Sequence, residues 1–194
     1  MSHIDSLEHR RVFSVHSPAK GDDLVEGLAF LDQKYREVFG VSPSPPDHLL
    51  VARHGRRVAG TIGVNFSHPV IGLRLANLYQ FDHARTPMPM DIDRAVDFGR
   101  LVCEMPGASG ILIHEAICFS LSYGKMLVLC EHTVQVNRTC RRFGIAFHAI
   151  EGAVLDPSRI EEHHRTFYEE NDVHLYMFDL AQARDALESY LKRQ

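Results

Sequence analysis

The sequence predicts an α/β fold in which a mixed, mostly antiparallel central sheet carries helices on both faces. After a first strand and helix, the strands are linked by a hairpin; beyond Asp97 they alternate with helices. The chain has 194 residues, of which 45% are hydrophobic and 24% charged, enough for a domain with a real core. No linker or internal repeat interrupts the pattern. We therefore expect residues 1–194 to form a single domain.

The first half is predicted from alternation, helical spacing and turn residues. Apolar residues at helical spacing stop at Gly40, and the turn His54-Gly55-Arg56 indicates a hairpin. Gly60 and Gly63 lie inside the second hairpin strand, where glycine indicates a bulge or the close approach of a ligand. The predicted elements are a strand at 11–16, a helix at 24–39, hairpin strands at 48–53 and 57–64, and a third β segment at 73–81.

The second half alternates strands and helices. The run Met-Leu-Val-Leu-Cys at 126–130 is wholly apolar, as expected for a buried strand. The other predicted elements are strands at 97–104, 145–150 and 173–178, helices at 111–123, 133–143 and 181–191, and a partly helical segment at 156–170.

Composition excludes several classes of function. A net charge of -4 makes the chain a poor general binder of nucleic acid, and no run approaches the roughly 20 apolar residues that span a bilayer. The polar residues 1–11 do not resemble a secretion signal, so we expect a cytoplasmic protein with reduced thiols. The cysteines form no CxxC pair, so no metal site is predicted. They are Cys103, Cys118, Cys130 and Cys140.

Three segments, taken together in order and spacing, carry a resemblance. The hairpin contains Val58-Ala-Gly60, the predicted central strand contains Asp97-Phe-Gly-Arg100-Leu-Val, and a later helix runs from Asn137 to the cap Arg-Phe-Gly144-Ile. These segments resemble acyltransferases of the GNAT superfamily, especially acyl-homoserine-lactone synthases and long-chain N-acyl amino acid synthases. The central segment is similar to their Glu-x-Ser-Arg and Glu-x-Gly-Arg-Leu-Val motifs. Asp97 stands where those families usually have Glu.

The resemblance implies a GNAT-like fold and an N-acyltransferase. Such an enzyme moves an acyl group, here a long-chain one, to the amine of a small molecule such as an amino acid. The donor is acyl-CoA or acyl carrier protein, used as a co-substrate, and no cofactor is tightly bound. An acetyl-CoA-dependent N-acetyltransferase and a non-catalytic acyl or CoA sensor with the same fold remain alternatives.

The resemblance also assigns a donor site. Leu101, Val102 and Cys103 form the strand edge that would pair with the pantetheine arm, although they also fit a plain sheet core. The Pro106–Gly110 turn, with Gly107, Ala108, Ser109 and Gly110, would bring backbone N–H groups to a phosphate, unless it is only a turn.

On the later helix, Asn137 would bind the pantetheine. Arg138, Arg141 and Arg142 share one helix face and would meet a CoA phosphate or acyl carrier protein, unless they form a solvated basic face.

The catalytic candidates are Asp97, Arg100 and Glu104 of the central strand. The resemblance makes Asp97 a general base toward the acceptor amine, and an Asp97–arginine ion pair that holds the sheet is the alternative. Residues three apart on a strand point to opposite faces, so Asp97 and Arg100 are expected on different sides of the sheet. Glu104 shares the predicted face of Arg100 and is the second acidic candidate. Met88, Met90, Phe81 and Tyr79 would line an acyl tunnel or belong to the core.

Overall fold

The computed structural model describes residues 13–70 and 72–193. Its strands and helices are β1 (Ser14–His16), α1 (Asp22–Phe39), β2 (His48–His54), β3 (Arg57–Phe66), α2 (Arg74–Leu78), β4 (Tyr79–Gln80), β5 (Ala95–Cys103), α3 (Ala108–Ser122), β6 (Leu127–Thr133), α4 (Val134–Arg141), β7 (His148–Ala149), β8 (Val154–Leu155), α5 (Arg165–Glu170), β9 (Val173–Asp179) and α6 (Leu180–Leu191).

The main sheet is mixed. Within the described residues, seven strands lie in the order β1-β2-β3-β5-β6-β9-β7, and β4 pairs with β8 separately. β5 and β6 run parallel, whereas the other neighbouring strands of the sheet are antiparallel. The helix α3 connects the parallel pair, because a parallel connection needs a crossover. The predicted mixed, mostly antiparallel sheet is confirmed.

Helices cover both faces of this sheet, as predicted. On one face, which we call the α3 face, Val96 and Phe98 pack in a core with residues of α3 and α6. On the opposite face, the α1 face, Leu49 and Val51 pack against α1, and Leu129 packs in a cluster with Leu75 of α2. The alternation of β2, β5 and β6 therefore buries apolar side chains on each side.

The third predicted β segment is wrong over most of its length. Residues 74–78 form the short helix α2, and only Tyr79 and Gln80 are extended. Leu75 and Leu78 are three apart and both buried, which is the spacing of a helix. Leu73 and Leu75 are two apart and both buried, which is the spacing of a strand, so the pattern fits either element. Tertiary packing decides between the two readings.

Smaller differences concern element ends. The predicted strand at 145–150 shortens to β7, and the partly helical segment contains α5. Residues 11 and 12 of the first predicted strand lie outside the described residues, and β1 begins at Ser14. Across 13–70 and 72–193, no helix combines the length and apolar character needed to cross a membrane.

Candidate active site

The two parallel strands separate at their carboxyl ends. β5 and β6 pair from Ala95–Leu127 to Phe98–Cys130, yet β5 continues to Cys103 and β6 to Thr133. A gap therefore opens in the sheet where the ladder ends. Ligands of open α/β sheets bind outside the carboxyl ends of strands, so this gap is a candidate site.

A β-bulge lies in β5 at the start of the gap. In the pairing with β3, Gly63 faces Gly99 but Thr61 faces Val102, so β5 carries one extra residue. Arg100 takes it up with a left-handed backbone, φ 55°. The group that lies close to Gly63 belongs to the chain itself and not to a ligand. A Cβ added at Gly63 would lie 2.8 Å from Pro46 and 3.4 Å from the Arg100 side chain.

The bulge places Asp97 and Arg100 on the same face. Asp97 accepts a hydrogen bond from the backbone N–H of Leu75, in α2, and Arg100 donates from Nε to the Ser44 carbonyl oxygen at 2.5 Å. Both partners lie on the α1 face of the sheet. The prediction that these side chains point to opposite faces is wrong, because the extra residue shifts the alternation of β5.

Asp97 is deeply buried, with 1% of its surface exposed. Its Oδ2 accepts the Leu75 N–H at 2.9 Å, whereas Oδ1 has no hydrogen-bond partner among the described residues. Burial raises the pKa of Asp97 to about 7, against the opposing effects of Arg74 and of the Leu75 hydrogen bond. Asp97 is a neighbour of the cavities described below but does not line them.

Glu131 lies across the gap from Gly99 and was missed in the sequence. Its carboxylate accepts hydrogen bonds from the hydroxyls of Tyr79, at 3.2 Å, and Tyr168, at 2.9 Å, and it pairs with Arg74 at 3.4 Å. Burial, followed by the Glu131 charge, raises the pKa of both tyrosines. A signal was present, because Glu131 directly follows the apolar run of a central strand at its carboxyl end.

A large cavity of about 720 Å³ lies over this part of the α1 face. Its walls come from the loop before β2, the segment around α2 and the segment before β9. The acidic, basic and histidine side chains of the lining are Asp47, His68, Arg74, Arg100, Arg159, Glu161 and His164. Arginine outnumbers the acidic residues, so the cavity suits an anionic group.

A smaller cavity of about 90 Å³ adjoins the large one and reaches Glu131. The two share Arg74, Arg100, His164 and Tyr168. Gly99 forms part of its wall, and a Cβ added at Gly99 would meet no atom within 4 Å. The aromatic part of its lining consists of Tyr35, Phe167 and Tyr168.

Burial changes the pKa values of the two arginines at this site. It is the largest cause of the lowered pKa of Arg100, and the like charge of Arg74 lowers that pKa further. Burial also lowers the pKa of Arg74, but the charges of Glu131 and then Asp97 outweigh burial, so this pKa is raised on balance. Arginine retains its charge under such conditions, so the site combines fixed positive charge with a partly buried carboxylate.

The predicted donor residues lie along the gap. Val102 and Cys103 pair with β3 on one side, which directs their other edge toward the gap, and Leu101 packs with the core of the α3 face. Gly107 has a left-handed backbone, φ 86°, and is the N-cap of α3, with Ala108 and Gly110 buried and Ser109 half-buried behind it. The helix N-terminus thus directly follows β5, as an anion site would need.

The later helix buries one of its predicted donor residues and exposes the arginines. Asn137 is buried, and its Oδ1 accepts a hydrogen bond from Arg141 Nε at 2.9 Å. Arg138, Arg141 and Arg142 are exposed on α4 or just after it. Asn137 is thus already engaged by one of the arginines predicted to bind the donor beside it.

Glu104 and the methionines lie away from both cavities. Glu104 is exposed past the end of β5 and pairs with Lys34 at 2.6 Å. Met88, Met90 and Phe81 pack against the hydrophobic cluster beneath α2. In residues 13–70 and 72–193, no group of three or more potential ligands could hold a metal ion.

Comparison with known proteins places this geometry in context. No protein-family model and no curated protein sequence matches the chain. Among solved structures, the acyl-homoserine-lactone synthase LasI matches with a TM-score of 0.59 and 11% identity, covering 92% of this chain and 94% of that one. FeeM, an N-acyl amino acid synthase from uncultured soil microbes, matches with a TM-score of 0.59 and 10% identity, over 90% and 94%.

A third match extends the comparison beyond the synthases. A putative N-acetyltransferase from Lactobacillus plantarum has a TM-score of 0.57 and 12% identity, over 87% of this chain and 99% of that one. At such identities the likeness concerns the fold. The chain therefore has the GNAT-like α/β fold of acyl-homoserine-lactone synthases, N-acyl amino acid synthases and N-acetyltransferases.

Proposed function

We propose that the chain is an N-acyltransferase that moves an acyl group from a thioester to the amine of a small anionic molecule such as an amino acid. One observation carries the proposal. A partly buried carboxylate, Glu131, lies at the gap between the parallel strands and at the end of an arginine-lined cavity. The fold shared with LasI and FeeM supports the same reaction class.

The acceptor binds on the α1 face. Its anionic group lies in the large cavity, where Arg100 and Arg74 supply positive charge. Its amine lies in the smaller cavity beside Glu131, between the rings of Tyr168 and Phe167. Aromatic faces and a carboxylate suit an amine in either protonation state.

The donor enters the gap from its open end. Its amide-bearing arm adds to the edge of Val102 and Cys103 as an extra strand would. For a CoA donor, the N-terminus of α3 at Gly107–Gly110 receives the pyrophosphate. Arg138 and Arg142, both exposed, face either a CoA phosphate or the acidic surface of an acyl carrier protein.

The chemistry follows from this arrangement. The amine nitrogen attacks the thioester carbonyl carbon, a C–N bond forms and the C–S bond breaks. Glu131 accepts the proton that the nitrogen loses, and the thiolate takes up a proton and leaves as a free thiol. Positioning two bound reactants at the gap supplies much of the acceleration. Glu131 replaces Asp97 and Glu104 as the proposed base, because neither of those carboxyls lines the cavities.

Acetyl transfer is the second candidate. The residues expected to line a long acyl tunnel, Met88, Met90 and Phe81, pack against the core instead. The structural match to the putative N-acetyltransferase also covers 99% of that protein's chain. The activity assay therefore includes acetyl-CoA as a short donor.

The test is a thioester-release assay that offers C2 to C16 acyl-CoAs and acyl carrier proteins with pooled amino acids, read by mass spectrometry. We expect an N-acyl product together with free thiol. A product from long donors alone favours synthase activity, and one from acetyl-CoA alone favours the second candidate. If no donor yields an N-acyl product or a free thiol, acyltransferase activity is excluded and a binding protein is the remaining candidate.

Glu131→Gln tests the base. The variant keeps hydrogen-bond acceptance from the tyrosines but not basicity, so kcat should fall by about 10²-fold or more. Glu151→Gln, an exposed glutamate in a turn, is the matched control and should keep full turnover. Equal kcat values for the two variants would remove Glu131 from the mechanism.

A further inference from the structure

Asp97 occupies the place of a missing helix cap. The residue before α2 is Leu73, whose side chain makes no capping hydrogen bond. Asp97 reaches across from β5 and accepts the N–H of Leu75, the second residue of α2, at 2.9 Å. A carboxylate at a helix start satisfies an otherwise orphaned backbone donor, here from a different strand. With 1% exposure, this hydrogen bond is shielded from water.

The first residue of that helix is Arg74. Its Nη2 pairs with Glu131 at 3.4 Å, and its side chain lines both the large and the smaller cavity. α2 has five residues, too few to hold its own position without packing and caps. The contact of Asp97 with Leu75 thus fixes the backbone from which Arg74 projects into the cavities.

We infer that Asp97 is a positioning residue, which holds α2 by its cap so that Arg74 stays beside Glu131 and the acceptor. The inference rests on the proposed function, since it concerns acceptor binding. It accounts for a carboxyl that is buried, accepts a hydrogen bond from backbone and lines neither of the two cavities. The other charged groups around it are Arg74, Arg100 and Glu131.

Two substitutions separate positioning from base catalysis. Asp97→Asn keeps an oxygen that can accept from the Leu75 N–H, whereas Asp97→Leu keeps the volume and loses the acceptor. For a positioning residue, Asp97→Asn should retain kcat within a few-fold. Asp97→Leu should raise the acceptor KM by about tenfold or more, because the buried N–H is left unpaired. Hydrolysis of the donor thioester without acceptor should stay unchanged in both variants.

A double variant tests the route through Arg74. Arg74→Gln alone should raise the acceptor KM, and Asp97→Leu with Arg74→Gln should add little to it, because both act through one contact. A kcat loss of about 10²-fold in Asp97→Asn would instead make Asp97 the base and overturn the inference. Additive KM effects would also contradict it.

Amide hydrogen exchange gives a readout that needs no activity. The Leu75 amide should lose protection in Asp97→Leu and keep it in Asp97→Asn. Asp179 is a matched control, since its side chain caps α6 by accepting the Gln182 N–H at 2.8 Å. Asp179→Leu should deprotect Gln182 and leave the Leu75 amide and the acceptor KM unchanged. Retained Leu75 protection in Asp97→Leu would refute the cap even if no acyl transfer were ever detected.

Discussion

Asp97 and Glu131 are carboxyl groups of adjacent strands on the same face, and their partners give them different properties. Glu131 is surrounded by hydroxyl and guanidinium donors at the edge of a cavity. Asp97 has one backbone donor, and burial raises its pKa to about 7. A buried carboxylate with a single donor is costly to ionise inside the protein, and this describes Asp97.

The raised pKa makes the stability of the protein depend on pH. A carboxyl whose folded-state pKa lies above 3.8 favours folding at low pH, and this contribution is lost as the pH rises through about 7. Asp97→Asn removes the titration, so the variant should gain stability relative to the parent between pH 5 and pH 8. The part of this shift between pH 5 and about 7 corresponds to at most about 3 kcal/mol. Urea unfolding of both proteins at the two pH values measures it, and a difference independent of pH would contradict the assignment.

At the scale of elements, long periodic segments could be predicted and local irregularities could not. The helices α1 and α6 and the hairpin of β2 and β3 follow from spacing and turn residues that act within each segment. The bulge in β5 could not be foreseen, because its left-handed residue is Arg100 and not the neighbouring Gly99. The helix α2 was mistaken for a strand because its cap comes from Asp97, 22 residues away from Leu75.

Two glycines that face each other across β3 and β5 should respond differently to a methyl group. Gly63→Ala should destabilise the protein by about 1–3 kcal/mol, because its Cβ would lie 2.8 Å from Pro46. Gly99→Ala meets no atom within 4 Å and should leave stability unchanged or slightly raised. It should still raise the acceptor KM, since the methyl group narrows the smaller cavity. Denaturation curves and acceptor titrations distinguish these outcomes, and equal destabilisation of both variants would contradict the geometry.

At the scale of the whole molecule, the site is assembled from distant parts of the chain. Arg74, Arg100 and Arg159 come from three segments and meet only through folding of the sheet and its α1 face. Sequence reasoning found Arg100 through a motif, but Arg74 and Arg159 carry no local signal. The predicted donor residues at 101–103 and 107–110, by contrast, are nearly contiguous on β5 and α3, and this is why a linear motif could suggest them.

The exposed arginines of α4 allow a test of the donor. Charge reversal at Arg138 and Arg142 should weaken turnover with an acyl carrier protein by about tenfold or more at low salt, because rim charges govern association with an acidic partner. If CoA donors are used through the Gly107–Gly110 turn, their turnover should change far less. Steady-state kinetics with both donors at low and high ionic strength provide the measurement. A loss with CoA donors alone would assign these arginines to the CoA phosphates, and an equal loss with both donors would contradict a role in recognising the acyl carrier protein surface.

The extra residue at Arg100 also governs how β5 can change during evolution. Before it, Asp97 faces the acceptor side, and after it Val102 does, so odd and even positions exchange sides within one strand. Deleting Arg100 would restore a regular strand and leave Leu101, Val102 and Cys103 on their present faces, because the bulge already accounts for the extra residue. Only the Arg100 side chain would be lost from the acceptor side. We therefore expect a gap in an alignment of this strand to fall at Arg100.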